Sequence, residues 1–298
     1  MPASTDGRRW GGRGAARCTH RGARRRMADE AMRGTAGATG ATAPAEAAGP
    51  PGQDRPVAEF RGVRKAFGRL QVLDGLDLQI RSRETVTIIG GSGTGKTVIL
   101  KLIVGLLKPE AGQILVDGED IVPLAEEALF RVRRRIGFLF QGAALFDSLT
   151  VGENVAYPLR EHTQMDDAQV ASRVREVLNV VGLDGVEGKA PAALSGGMRK
   201  RVGLARAIAL APHLILYDEP TTGLDPQNAE KINDLIRDLQ RKLGVTSVVV
   251  THDMHSAFKV SDRIAMLRGG RVAALGTPAE LQHSAEGFVQ DFIAGHVE

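Results

Sequence analysis

A single cysteine, Cys18, excludes an intramolecular disulfide, so nothing in the sequence points to an oxidising compartment. Long hydrophobic runs are also missing. The longest strongly apolar uncharged run, residues 207–217, falls well short of the roughly 18 to 20 residues a membrane-spanning helix needs, so the chain is not expected to cross a bilayer by itself. Residues 1 to about 55 lack apolar periodicity altogether. They are built from Ala, Gly, Arg, Thr and Pro and close on Gly49-Pro50-Pro51-Gly52, a composition that buries too little to offset its ordering entropy, so a disordered tail is expected there. The folded body lacks an excess of positive charge. Residues 1–50 hold nine Arg and four acids, a net of +5 against +4 for the whole chain, which leaves −1 for residues 51–298. The basic pI of about 9.4 belongs to the tail and is weak evidence for nucleic-acid binding by the domain.

From Val57 onward short apolar runs alternate with amphipathic stretches. Strands are expected near 58–63, 72–80, 85–89, 112–116, 136–140, 214–217, 247–250, 263–267 and 271–276. A helix over 167–181 would align Val170, Val174, Val177, Leu178 and Val181. Another over 229–243 would align Ile232, Leu235, Ile236, Leu239 and Leu243. Strands alternating with helices predict an α/β fold with a mostly parallel sheet, and the nearly all-helical reading of 149–210 predicts a helical insertion in it.

Three stretches carry chemistry. The run TVTIIGGSGTGKT is an apolar strand, a glycine-rich turn and a helix start, and it fits the phosphate-loop pattern G-x-x-x-x-G-K-[ST]. Gly90, Gly91, Ser92, Gly93, Thr94 and Gly95 would turn backbone N–H groups toward phosphate oxygens. Lys96 would reach the β and γ phosphates, and Thr97 would offer a hydroxyl to Mg²⁺. Downstream, LILYDEP is an apolar strand that ends in two carboxylates, Asp218 and Glu219. Alone, such a pair is more often a solvated turn; beside a phosphate loop, Asp218 suits a metal and Glu219 suits polarising an attacking water. In ALSGGMRKR, Ser195, Gly196 and Gly197 open a helix and form a second anion-binding start, although Ser195 alone would be an ordinary N-cap.

The ordered set GGSGTGKT, Gln141, LSGGM, LYDEP, GLDP at 223–226 and THD at 251–253 resembles the ATPase subunits of ABC transporters, over residues 57 to about 283. Within that family, LFQGAALFDSLTVGENVAYPLREHT at 139–163 and LSGGMRKRVGLARAIAL are similar to the Mla/Mce-type phospholipid-transporter ATPases. The resemblance implies a P-loop core with an antiparallel β subdomain and a head-to-tail homodimer. Each ATP would lie between the phosphate loop of one chain and Ser195, Gly196 and Gly197 of the other, where a helix N-terminus brings partial positive charge to the γ-phosphate. Glu219 is implied as general base, His252 as the holder of the γ-phosphate and water, Gln141 as sensor of Mg²⁺ and water, and Asp225 as coupler of the two sites. Phe67 stands where the family commonly has an adenine-stacking Tyr and keeps the π-face.

By the same resemblance, Ala143, Leu145, Phe146 and Tyr157 would line a groove for a cytoplasmic helix of an integral membrane permease, while Val151, Val155 and Leu159 would be core. Further implied partners are periplasmic lipid-binding (MCE) and STAS-type subunits, and the implied location is peripheral, on the cytoplasmic face of the inner membrane. Beyond the core only a short helical tail with Phe288, Phe292 and Ile293 on an apolar stripe is expected, rather than the β-rich regulatory domain of many sugar importers. Two other readings compete. A soluble ABC ATPase acting on nucleic acid usually carries two ATPase units or a long coiled-coil insertion, and neither is present here. A non-hydrolysing switch could dispense with Glu219.

Overall fold

The computed structural model describes residues 56–295; the tail expected over residues 1–55 lies outside them. In chain order the elements are β1 (Pro56–Phe67), β2 (Leu70–Arg81), β3 (Thr85–Ile89), α1 (Lys96–Ile103), β4 (Ala111–Val116), β5 (Glu119–Asp120), α2 (Glu126–Arg133), β6 (Ile136–Leu139), α3 (Val151–His162) and α4 (Asp167–Val180). A 3₁₀ turn at Pro191–Ala193 precedes α5 (Gly196–Ile208), β7 (Leu214–Asp218), α6 (Pro226–Leu243), β8 (Thr246–Val250) and α7 (Met254–Val260). The chain continues through β9 (Arg263–Arg268), β10 (Arg271–Gly276), α8 (Pro278–Gln282) and α9 (Gly287–Ile293). No helix among the described residues is long and apolar enough to cross a membrane.

Two sheets form. The six-stranded sheet has the order β10-β9-β3-β8-β7-β6, with β9, β3, β8, β7 and β6 all parallel and β10 antiparallel at the edge. Every residue of β3, β7 and β8 is buried, so Thr85, Thr87, Thr246 and Ser247 lie inside the sheet among apolar neighbours and do not mark a solvent face. The second sheet, β2-β1-β4-β5, is antiparallel. The mostly parallel sheet, the antiparallel subdomain and the helical stretch from α3 to α5 all match the expected α/β class. The two-residue β5 has too little sequence to show a period, and β1 and β2 run longer than expected because they hydrogen-bond along their full length as a hairpin.

The helical segment has its own core. Val151, Val155 and Leu159 of α3 are buried with Val170, Val174, Val177 and Leu178 of α4 and Val202 and Leu204 of α5. Both α3 and α4 start on capping boxes, Thr150 with Glu153 and Asp166 with Gln169. Asn154, fully buried, ties the preceding loop to α3: its Oδ1 accepts from Phe146 N at 2.8 Å, and its Nδ2 donates to the carbonyls of Phe146, Leu149 and Thr150. Two packing expectations are corrected. Leu243 ends α6 and is exposed, because the helix terminates on the left-handed Gly244 just beyond the core. Ala143 is buried against Gly203 and cannot line a surface groove. Phe146 and Tyr157 do reach the surface, 5.1 Å apart between ring centroids.

Candidate functional site

Parallel register gathers residues that are far apart in sequence. Ile88 of β3 and Asp218 of β7 both pair with Val250 of β8, and Leu139 of β6 pairs with Tyr217. The next residues of each strand therefore emerge at one carboxyl edge: Gly90 after β3, Glu219 after β7, Thr251 and His252 after β8, and Gln141 two residues after β6. That edge is where open α/β sheets bind ligands.

Steric need explains the glycine-rich turn. Gly95 precedes α1 with φ 98°, and a Cβ there would stand 2.7 Å from Val72 Cγ1 of the antiparallel sheet. That packing also brings the β1–β2 hairpin, with Phe67 exposed at its end, to the phosphate loop. Lys96 is buried, and its Nζ donates to the carbonyls of Gly90 and Gly91 at 2.8 Å each. Burial pushes its pKa below the ordinary Lys value, while the carboxylates of Glu219 and Asp218 oppose the shift. The loop holds its ammonium by two carbonyl oxygens, neutral acceptors that a phosphate can replace.

Across the edge, Thr97 Oγ1 donates to Asp218 Oδ1 at 2.8 Å. Burial raises the Asp218 pKa, with the Thr97 hydrogen bond lowering it and the neighbouring Glu219 charge adding to the rise. Glu219 takes a left-handed backbone, φ 49°, which is uncommon for a residue with a Cβ. Its carboxylate is held from three sides: Oε1 meets His252 Nδ1 at 2.9 Å, and Oε2 accepts from Thr222 Oγ1 at 2.9 Å and from Thr251 Oγ1 at 3.4 Å. Such an arrangement can orient a carboxylate toward a water while a neighbouring imidazole shares its charge. Gln141 is exposed at the same edge. Ser92 and Gly93 are exposed at the loop tip, and Thr94 Oγ1 closes the turn on Gly91 O at 2.9 Å.

The start of α5 is placed differently. Ser195 is exposed and caps the helix by accepting from Met198 N at 3.3 Å. A Cβ on Gly197 would meet the Asn228 side chain at 3.0 Å, and one on Gly196 would meet Leu224 at 3.4 Å. Asp225 caps α6, accepting from Asn228 N and Nδ2, and those bonds hold its pKa low. Within one chain, then, Ser195, Gly196, Gly197 and Asp225 share a corner, and the hydrogen bonds found there among the described residues do not reach the phosphate loop. Sequence reasoning missed Thr222 and Lys200, and it placed Thr251 in the THD motif without a role. Thr222 is an ordinary polar residue beside a motif. Lys200 had a signal, since it stands four and eight residues before the buried Leu204 and Ile208 and so lies on the core stripe of α5.

Residues 73–222 match the family model for the ABC transporter. The chain is 43% identical over 237 residues to the intermembrane phospholipid transport system ATP-binding protein MlaF of Haemophilus influenzae, covering 80% of this chain and 90% of that one. It is 42% identical over 237 residues to the probable ribonucleotide transport ATP-binding protein mkl of Mycobacterium leprae, covering 80% of this chain and 68% of the relative. Import proteins named for sulfate/thiosulfate and for methionine match at comparable identity. Among solved structures, the dimeric MJ0796, a bacterial ABC transporter cassette, superposes with a TM-score of 0.70 at 35% identity, covering 74% of this chain and 98% of that one. With the phosphate loop, the paired carboxylates and His252 on one sheet edge, this chain belongs to the ABC transporter family as one of its ATP-binding, ATP-hydrolysing members.

Proposed function

We propose that two copies of this chain bind two molecules of Mg²⁺-ATP head to tail and hydrolyse them to power phospholipid movement by an Mla/Mce-type transporter. The observation that carries the catalytic reading is Glu219, fixed at the sheet edge by Thr222, Thr251 and His252 beside the Thr97–Asp218 pair. Residues 56–283 would form the ATPase domain, with its helical insertion at about 149–210, and residues 284–298 a short helical tail.

Thr97 and Asp218 suit Mg²⁺: both offer hard oxygen atoms, and the raised Asp218 pKa marks a buried carboxylate in want of a cation. Bound there with the phosphates, the ion would supply charge neutralisation for the developing transition state. Lys96 would leave the carbonyls of Gly90 and Gly91 for the β and γ phosphates, and the N–H groups of the loop from Gly90 to Thr97 would cradle their oxygens. Phe67 would stack on adenine. Glu219 would take the proton of the attacking water, with His252 holding the γ-phosphate and Gln141 the water and metal ligands. The start of α5 supports the dimer: Ser195 is exposed and Gly196 half-buried, and the first N–H groups of a helix have no partner within it, so a partner's nucleotide could meet them there. Asp225, at the same corner, would couple the two sites.

Asp218→Asn gives a test with two signs. A carboxyl whose folded pKa is raised contributes its stability below the unfolded pKa and loses it as pH rises through the folded value. At neutral pH the ionised Asp218 is therefore a cost that Asn removes. The nucleotide-free variant should melt at or above the wild-type temperature, yet gain little from Mg²⁺ beyond what ATP alone confers. Thermal melts without ligand, with ATP and with Mg²⁺-ATP read both effects, and a variant that gains as much from Mg²⁺ as the wild type does would argue against the assigned metal ligand.

Phospholipid as cargo is supported by identity to MlaF over 90% of that protein's length and by the stretch at 139–163. Exposed Phe146 and Tyr157, with Leu145 half-buried beside them, would receive a helix of the membrane permease at the cytoplasmic face of the inner membrane. MCE and STAS-type subunits would complete the assembly, and nucleic acid is not a partner of this reading. Purifying the chain with its permease, identifying bound lipid by mass spectrometry and measuring ATP-dependent lipid transfer tests the proposal. Phospholipid should co-purify and move only with ATP; a complex that moves sulfate or an amino acid instead would overturn it.

A further inference from the structure

Lys200 lies one turn into α5, buried at 6% exposure in a helix whose other basic side chains reach out to carbonyls at its rim. An ammonium in such a place needs a partner. Its Nζ donates at 2.8 Å to the main-chain carbonyl of Glu219. Burial holds the Lys200 pKa below its ordinary value, with the charges of Glu219 and Asp218 opposing that shift.

The bond falls on an unusual piece of backbone. Glu219 is left-handed, while its N–H donates to Val250 O at 2.9 Å and its carbonyl also accepts from Thr222 N at 3.3 Å. A residue with a Cβ holds such a conformation only where its surroundings over-determine it. Turning the Glu219 peptide out of that conformation would swing its carbonyl off Lys200 and its carboxylate away from His252 and Thr222. Thr222 belongs to the same turn and would move with it. Lys200 comes from another element, so it can act as a fixed reference.

We infer that Lys200 is a positioning residue that locks the main chain of Glu219 so that its carboxylate points at the reacting water. The inference rests on the reading of Glu219 as general base. It also gives α5 two tasks on one face: Gly196 and Lys200 are four residues apart, so the helix start that would meet a partner's nucleotide and the anchor of this chain's own Glu219 share one rigid rod.

The test uses the full chain with Lys200→Met, Lys200→Arg and Glu219→Gln, measuring kcat and KM for ATP, ATP affinity and melting temperature. Met follows Lys to its ε carbon without charge or donor, and the Glu219 carbonyl keeps Thr222 N. Lys200→Met should lower kcat about 100-fold, the loss a small misplacement of a reacting group produces. ATP affinity and melting temperature should hold, and Lys200→Arg should regain most of the turnover. Should the Met variant not fold, Lys200→Gln is read in its place. Normal kcat in Lys200→Met beside an inactive Glu219→Gln would overturn the inference and spare the general base. Turnover that falls only in proportion to lost ATP affinity and melting temperature would also overturn it, since Lys200 would then merely support the fold. An active Glu219→Gln would remove the general base and this inference with it.

Discussion

Glu219→Gln should lower ATP turnover by about 10² to 10⁴, the range for loss of a positioned general base, while ATP-bound dimers accumulate. The substitution is nearly isosteric, and the amide oxygen can still accept from Thr222 and Thr251. What disappears is the proton acceptor. At 1.36 kcal/mol per tenfold change, the effect corresponds to about 3 to 5 kcal/mol of barrier. Binding should survive, because Lys96, Thr97 and the loop glycines are untouched, and so the variant should stall with nucleotide in place. Steady-state ATPase assays give the first half of the prediction, and size-exclusion chromatography with light scattering in ATP gives the second. Unaltered turnover would eliminate Glu219 as the base, whereas a wild type without measurable turnover would return the non-hydrolysing switch to consideration.

The second large effect concerns stability. Asn154→Ala removes a fully buried amide that satisfies four main-chain groups of the loop before α3. Phe146 N–H would lose its acceptor and Leu149 O its Nδ2 donor, while the carbonyls of Phe146 and Thr150 would keep only Leu149 N and Asn154 N. With about 1 to 3 kcal/mol for each buried group left unsatisfied, and some relaxation of the loop, about 3 kcal/mol is expected. For a domain of this size that is a drop of about 6 to 12 °C in melting temperature. Asn154→Asp should be worse, since it aims a carboxylate at three carbonyl oxygens. Differential scanning calorimetry checks the order wild type, Ala, Asp; an Asp variant as stable as the wild type would show that the loop does not depend on the Nδ2 donations. The loss should also reach the surface, because the loop that Asn154 fixes carries Phe146 against Tyr157.

Much of this was legible in the sequence because buried parallel strands leave a plain record. Leu214 to Tyr217 is a continuous apolar run and Thr85 to Ile89 a wholly β-branched one, and the residues that follow such strands emerge at the sheet edge, so the sequence places Asp218, Glu219 and the phosphate loop together. Amphipathic α4 was equally open, with its valines at helical spacing. What stayed hidden depends on three-dimensional neighbours. Ala143 looks like a surface residue in an apolar loop until Gly203 of α5 closes over it, and Leu243 looks like core until Gly244 ends the helix. Lys200 sits within Arg199-Lys200-Arg201, and a charge run ordinarily means a solvated face. Only the four-residue spacing to Leu204 and Ile208 separates it from its neighbours. Thr222 has no sequence signature and Thr251 only its place in THD, because their roles come from where Glu219 turns.

The far end of the chain is connected to the phosphate loop as well. Val289 of α9 is fully buried in the same apolar cluster as Ile89, the residue immediately before Gly90, together with Ala257, Ile264, Met266 and Leu281. Folding of the last helix and rigidity of the loop strand thus draw on one shared core. A nucleotide that stiffens Ile89 through this core would favour the docked state of α9, and by reciprocity fraying of α9 would then weaken nucleotide affinity by the same free energy. Loosening α9 is therefore expected to be felt at the phosphate loop.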